Sequence, residues 1–209
     1  MIELFISTFA TLFVVIDPPG CAPIFAGLTG GHSTAQARAT ALRAAGIATA
    51  ILFAFALFGK GLLGALHIEM NAFRIAGGIM LFLIALEMVF EKRTQRREQR
   101  ADQVRADPHE PHEDISVFPM AMPMIAGPGS IATVMLMMGQ AQDSAQAGVV
   151  MAALALVMAL TAGALVLARP IMALLGARVE AVVTRVLGVL LGALAVQYVI
   201  DGVRGVVGL

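Results

Sequence analysis

Six long apolar stretches, residues 2–26, 44–66, 70–90, 115–139, 147–168 and 179–200, constrain this chain more than any other feature. A helix needs about 20 residues, at ~1.5 Å rise each, to cross a bilayer. The composition agrees: 59% of residues are hydrophobic and 13% charged, against about 25% charged in a typical soluble domain. Mean hydropathy is +0.87. The second stretch is the least uniform, because Lys60 interrupts it near one end. The chain opens Met1-Ile2-Glu3 without a basic n-region, so the first stretch is expected to be a retained span rather than a cleaved signal. The expected fold is an all-α membrane protein of six transmembrane helices.

Two of these stretches are broken at their centres. Ile16-Asp17-Pro18-Pro19-Gly20-Cys21 interrupts the first, and Ile125-Ala126-Gly127-Pro128-Gly129-Ser130 interrupts the fourth at an offset of 109 residues. Breaking a helix inside hydrocarbon frees backbone groups that find no water there. Paired Pro/Gly interruptions at matching positions of two half-chains point to the binding site of a transporter built from inverted repeats. The halves match elsewhere as well. Phe58-Gly59-Lys60 aligns with Leu167-Ala168-Arg169 at the same offset, and Glu69, Arg74, Gly77 and Leu83 align with Glu180, Arg185, Gly188 and Leu194 at an offset of 111.

One polar segment, residues 91–114, separates a first three-helix repeat (1–90) from a second (115–209). Its first part carries Lys92, Arg93, Arg96, Arg97, Arg100 and Arg105; its second, Asp107 to Asp114, is acidic. Those six cations fall on the same side as Arg38, Arg43, Arg169, Arg178 and Arg185, whereas Lys60, Arg74 and Arg204 fall on the other. The positive-inside rule predicts a cytoplasmic segment 91–114, both termini outside, and residence in the cell (inner) membrane. Three spans per half then make the second repeat enter from the opposite face.

The chemistry sits at the breaks. A carboxylate placed centrally in a span costs roughly 2.5–3.5 kcal/mol on insertion scales, so Asp17 is read as a site for a proton, a cation or a substrate ammonium. It also suits the N-cap of the half-helix that starts at Pro18, accepting from Gly20 or Cys21. The matching position is Ala126, so the two breaks are unequal. Gly127, Pro128, Gly129 and Ser130 read as a half-helix start with forward-pointing N–H groups suited to a carboxylate, to which Ser130 and Thr133 add hydroxyls. An acid on one break and an anion-friendly start on the other complement a zwitterion, and small residues leave room for little side chain. Pro23 and Pro123 bend the same segments. Arg74 and Arg185 are read as binding carbonyls at the end of a broken helix or as snorkelling to the interface, and Glu87 as interfacial.

Other function classes find less support. The neutral balance and pI near 6.9 give no sign of nucleic acid. There is one cysteine, Cys21, no Trp, and a single tyrosine, Tyr198. His109, Glu110, His112, Glu113 and Asp114 lie in a Pro-containing polar loop read as solvated, with no metal expected. The basic run from Lys92 is read as continuing the third helix toward anionic headgroups. No Walker-type phosphate loop is present, so energy would come from a proton or sodium gradient with no cofactor. An enzyme is not expected, because His32, His67, His109 and His112 all fall in loops or at span ends. The remaining alternatives are a cation or metal exporter and a non-transporting scaffold. Gly188-x-x-x-Gly192 permits close packing within the bundle or between protomers of a homo-oligomer.

Several of these residues resemble the motifs of the MarC family of multi-pass membrane proteins, also described as a neutral amino acid transporter family. Asp17, Pro18, Gly20, Pro23 and Phe25 match its Asp-Pro-x-Gly-x-x-Pro-x-Phe motif. Pro123, Gly127, Pro128, Gly129 and Ile131 match its second, and Arg74 to Gly78, Val196-Gln197 and Asp201-Gly202 are also similar. The resemblance implies a membrane lipid environment and small neutral amino acids as substrate. A more distant similarity to the lysine-exporter superfamily implies three-plus-three inverted repeats.

Overall fold

A computed structural model describes residues 1–93, 95–99 and 114–208, with 174–180 described by backbone alone. Every regular element among them is helical: α1 (Ile2–Ile16), α2 (Pro18–Leu28), α3 (Thr34–Ala65), α4 (Met70–Val89), α5 (Ser116–Ile125), α6 (Pro128–Gln140), α7 (Ser144–Val166) and α8 (Ala168–Val207). Five spans are long and apolar enough to cross a membrane. A sixth forms when α5 and α6, bent by 53°, count as one.

Both interruptions fall where the sequence places them, but they differ in kind. The first is a single residue, Asp17, in the left-handed region (φ 58°, ψ 63°), which ends α1 and begins α2 at once. Pro18 has no N–H to continue the ladder, and Asp is among the few non-glycine residues that tolerate this region. The second is a bend. Pro119 and Pro123 lie inside α5, and the residues before them, Phe118 and Met122, take extended dihedrals, as the steric demand of a following proline favours. The chain then turns at Ala126–Gly127 and restarts with Pro128 in the first turn of α6.

Two boundaries depart from the apolar pattern. α3 starts ten residues before the second apolar stretch because Ser33 and Gln36 form a reciprocal capping box, with N···O distances of 3.3 and 2.9 Å. A polar connection was expected between the fifth and sixth stretches; instead Leu167 alone separates α7 from a 40-residue α8. Pro170 lies in the first turn of that helix, where a missing N–H leaves no bond unmade, so nothing stops it. At ~1.5 Å per residue α8 measures about 60 Å, twice the hydrocarbon thickness. Its apolar part is Ala181–Val207.

Both broken spans are well enclosed; in the first, 56% of the apolar window is buried, against 28% for α4 and for Ala181–Val207. One buried cluster joins Leu12, Ile16, Phe25, Ala44, Leu52, Met120, Ile125 and Leu154, and a second joins Val15, Leu81, Met88, Leu136 and Leu191. Ile79, Phe82, Leu83, Val189 and Leu190 face outward, as residues facing lipid do. α4 and α8 pack through small residues: a Cβ on Gly78 would stand 2.8 Å from the carbonyl of Ala195, and one on Gly188 2.8 Å from Cβ of Met88. The Gly188-x-x-x-Gly192 pattern therefore serves contact within the chain. At one end of the bundle Arg43 pairs with Asp114, and Arg169 donates to the carbonyls of Thr29 and His32. Loops whose cations the sequence groups on one side thus meet there.

Candidate solute and ion site

At the first break the carboxylate of Asp17 is built in from two directions. Oδ1 accepts the N–H of Gly20 at 3.1 Å, the N-cap bond expected for the half-helix α2. A Cβ on residue 20 would lie 2.2 Å from Oδ2, so only glycine lets the carboxylate lie over the start of the helix. Oδ2 accepts from Nη1 of Arg97 at 3.0 Å. Both side chains are enclosed, with 1% of Asp17 and 7% of Arg97 exposed.

The arginine arrives by a route that differs from the sequence reading. The basic run does not simply extend α4. That helix ends at Val89, Glu91 adopts a positive φ of 59°, and the chain becomes helical again over 92–93 and 95–99. Arg93 and Arg97, four residues apart, share one face of this segment. Arg93 donates to the carbonyl of Val15 at 2.7 Å, and Arg97 reaches the carbonyl of Met124 at 3.5 Å. Those carbonyls belong to the C-terminal turns of α1 and α5, where partial negative charge collects. The role foreseen for Arg74 or Arg185, binding carbonyls at a helix break, is filled by Arg93 and Arg97. Arg185 pairs instead with Glu91, and Nε of Arg74 is buried without a hydrogen-bond partner.

Beside this pair lies a cavity of about 360 Å³. Its walls are the second break (Pro123, Met124 and Gly127 to Ser130), apolar side chains of α1 and α4 (Val15, Met80, Leu83, Ile84), and Glu87, Arg93, Arg96 and Arg97. Gly129 and Ser130 precede the first backbone bond of α6, Ile131 N to Gly127 O at 3.0 Å, so their N–H groups stand in the region of positive partial charge. A Cβ on Gly129 would come within 2.3 Å of Cδ1 of Ile84. Glu87 is paired with Arg96 at 2.8 Å. Three guanidinium groups, one carboxylate and a helix start thus share one small volume, at the lower end of the range for solute pockets of ~300–1,000 Å³.

The sequence-derived residues divide accordingly. Gly127, Pro128, Gly129, Ser130 and Pro123 line the cavity. Asp17, Pro18, Gly20 and Cys21 do not; they form the buried junction behind Arg97, where Cys21 Sγ lies 3.7 Å from the carbonyl of Ile16. Pro23 lies inside α2. Thr133 donates its hydroxyl to the carbonyl of Gly129 at 2.7 Å, so it braces the half-helix. Glu87, expected at the interface, lines the cavity. Missed by the sequence reading were Arg93, Arg96 and Arg97; the i, i+4 spacing of Arg93 and Arg97 allows a shared helix face, but nothing local marks the turn that brings it back. His109, Glu110, His112 and Glu113, with Arg100, Arg105 and Asp107, lie outside the described residues.

Comparison with known proteins identifies the family of the chain. The family model described as MarC family integral membrane protein matches residues 2–207. A UPF0056 membrane protein of Methanocaldococcus jannaschii is 35% identical over 206 residues, 98% of each chain. UPF0056 membrane protein YvbG of Bacillus subtilis is 35% identical over 208 residues, covering 98% of this chain and 96% of its own. YhcE of Escherichia coli is 29% identical over 199 residues, 95% and 91% of the two chains. No solved structure matches. With a match that runs from the first span to the last, the chain is a multi-pass integral membrane protein and belongs to the MarC family.

Proposed function

We propose that the protein is a secondary transporter of small neutral amino acids such as glycine or alanine, driven by a proton or sodium gradient. The observation that carries this reading is the 360 Å³ cavity at the second break. Its lining is chemically mixed: the N–H groups of Gly129 and Ser130 with nearby guanidinium groups suit a carboxylate, and Glu87, paired with Arg96, supplies an acid that suits an ammonium. Ile84 crowds the Cα of Gly129, which supports a solute with little side chain. Asp17, behind Arg97 and outside the cavity lining, is the acid for coupling. Alternating access would rock one three-helix repeat against the other around the two breaks. The contacts between Arg43 and Asp114 and between Arg169 and Thr29 support grouping the cation-rich loops on one face, which we take as cytoplasmic in the inner membrane.

Counterflow in proteoliposomes tests the proposal. Wild-type protein loaded with unlabelled glycine should accumulate radiolabelled glycine or alanine. Asp17→Asn and Gly129→Leu should abolish that accumulation. Absence of movement for every small neutral amino acid, together with no ligand-dependent change in melting temperature, would sink it.

A further inference from the structure

Around the first break three oxygens from separate points of the chain face cationic partners. They are the Asp17 carboxylate, the Met124 carbonyl at the end of α5 and the Val15 carbonyl near the end of α1. Half-helix C-termini together with an intramembrane carboxylate form the oxygen set that holds a small cation in broken-helix transporters. Here guanidinium groups hold those positions, and they come from the segment after α4 rather than from either broken helix. That segment is joined to α4 through the Glu91 turn, so it can move without unfolding a span.

We propose that the Asp17 carboxylate and the Met124 carbonyl, both held by Arg97, form a monovalent-cation site, for an alkali ion or an ammonium group, in which Arg97 is a tethered occupant, so that loading is an exchange. Charge dictates the exchange. An Asp17 carboxylate enclosed to 1% exposure cannot lose Arg97 without a compensating cation or proton, because an uncompensated buried charge is strongly disfavoured. Swapping one positive charge for another leaves the buried charge constant. The proposal deepens the role given to Asp17 in the transport reading, but it concerns cation binding and is read without any amino acid.

The test uses the purified full-length protein in detergent with sodium chloride, methylammonium chloride or choline chloride at equal ionic strength. Cys21, the single cysteine, is fully buried four residues beyond Asp17 and reports opening of the junction through its rate of alkylation by a maleimide. In wild type, sodium or methylammonium should raise that rate several-fold and saturably, whereas choline should not. In Arg97→Gln the active cation should raise the melting temperature by about 5–10 °C at a hundredfold excess over Kd, and both responses should vanish in Asp17→Asn. A response to sodium alone assigns an alkali ion; one to methylammonium alone assigns the ammonium of a solute. Alkylation and melting identical in all three salts would overturn the proposal. If Arg97→Gln does not fold, the wild-type alkylation series decides. Failure of glycine counterflow with a retained cation response would remove the amino acid and leave the cation site standing.

Discussion

The guanidinium of Arg97 and the carboxylate of Asp17, eighty positions apart in sequence, meet at 3.0 Å in an almost fully enclosed junction between the two halves of the chain. Removing one partner of such a pair typically costs 3–5 kcal/mol, whereas replacing both groups with neutral ones is far milder. Arg97→Ala and Asp17→Asn should each lower thermal stability strongly, and the double variant should recover much of the loss. A thermal double-mutant cycle measures the coupling; additive losses would contradict it.

Gly20 is held to glycine by the Asp17 carboxylate. Gly20→Ala places a methyl 2.2 Å from Oδ2, so the carboxylate must shift away from its N-cap position. Helicity by circular dichroism should be retained while the melting temperature falls, with a loss of about 1–3 kcal/mol. If Gly20→Ala and wild type melt alike, the carboxylate does not occupy this position.

Gly129 and Ile84 should be coupled through one methyl group. Gly129→Ala brings Cβ within 2.3 Å of Ile84 Cδ1, an overpacking of roughly 1–3 kcal/mol. Adding Ile84→Ala removes the obstructing atom and should restore stability to the Gly129→Ala protein. A double variant no more stable than Gly129→Ala alone would place the clash elsewhere.

At the end of the bundle where Arg43 pairs with Asp114, the Ser116 hydroxyl, followed by Arg43, holds the Asp114 carboxyl below its ordinary value of 3.8. The sign follows from a depressed folded-state pKa. The contribution is complete above the unfolded value and is lost as pH falls through the folded one. Acid unfolding of Asp114→Asn should therefore be less steep than that of wild type below pH 4, with the two curves parallel from pH 6 to 8. The difference should be small, because the group is largely exposed.

The spans and breaks were legible because bilayer chemistry writes them in long apolar runs and in Pro/Gly, which act locally. Asp17 and Gly127 to Ser130 fall at the breaks for that reason. The Arg97 contact was not legible in the same way. A basic run after a span looks the same whether it continues outward or folds back, and only the positive φ of Glu91 redirects it. The unbroken backbone through 169–178 was likewise hidden, because cations there read as a loop while no residue in the stretch actually stops a helix.

The fold-back after α4 belongs to neither broken helix, and it gives the bundle a handed interior. A protein whose two halves were interchangeable would hold its outward- and inward-facing forms at equal energy. On the transport reading proposed above, Arg93 and Arg97, anchored from one side only, make closing the junction easier in one of those forms than in the other. Net flux still follows the gradient. The concentration at which such a carrier half-saturates, however, is then expected to differ between the two faces of the membrane.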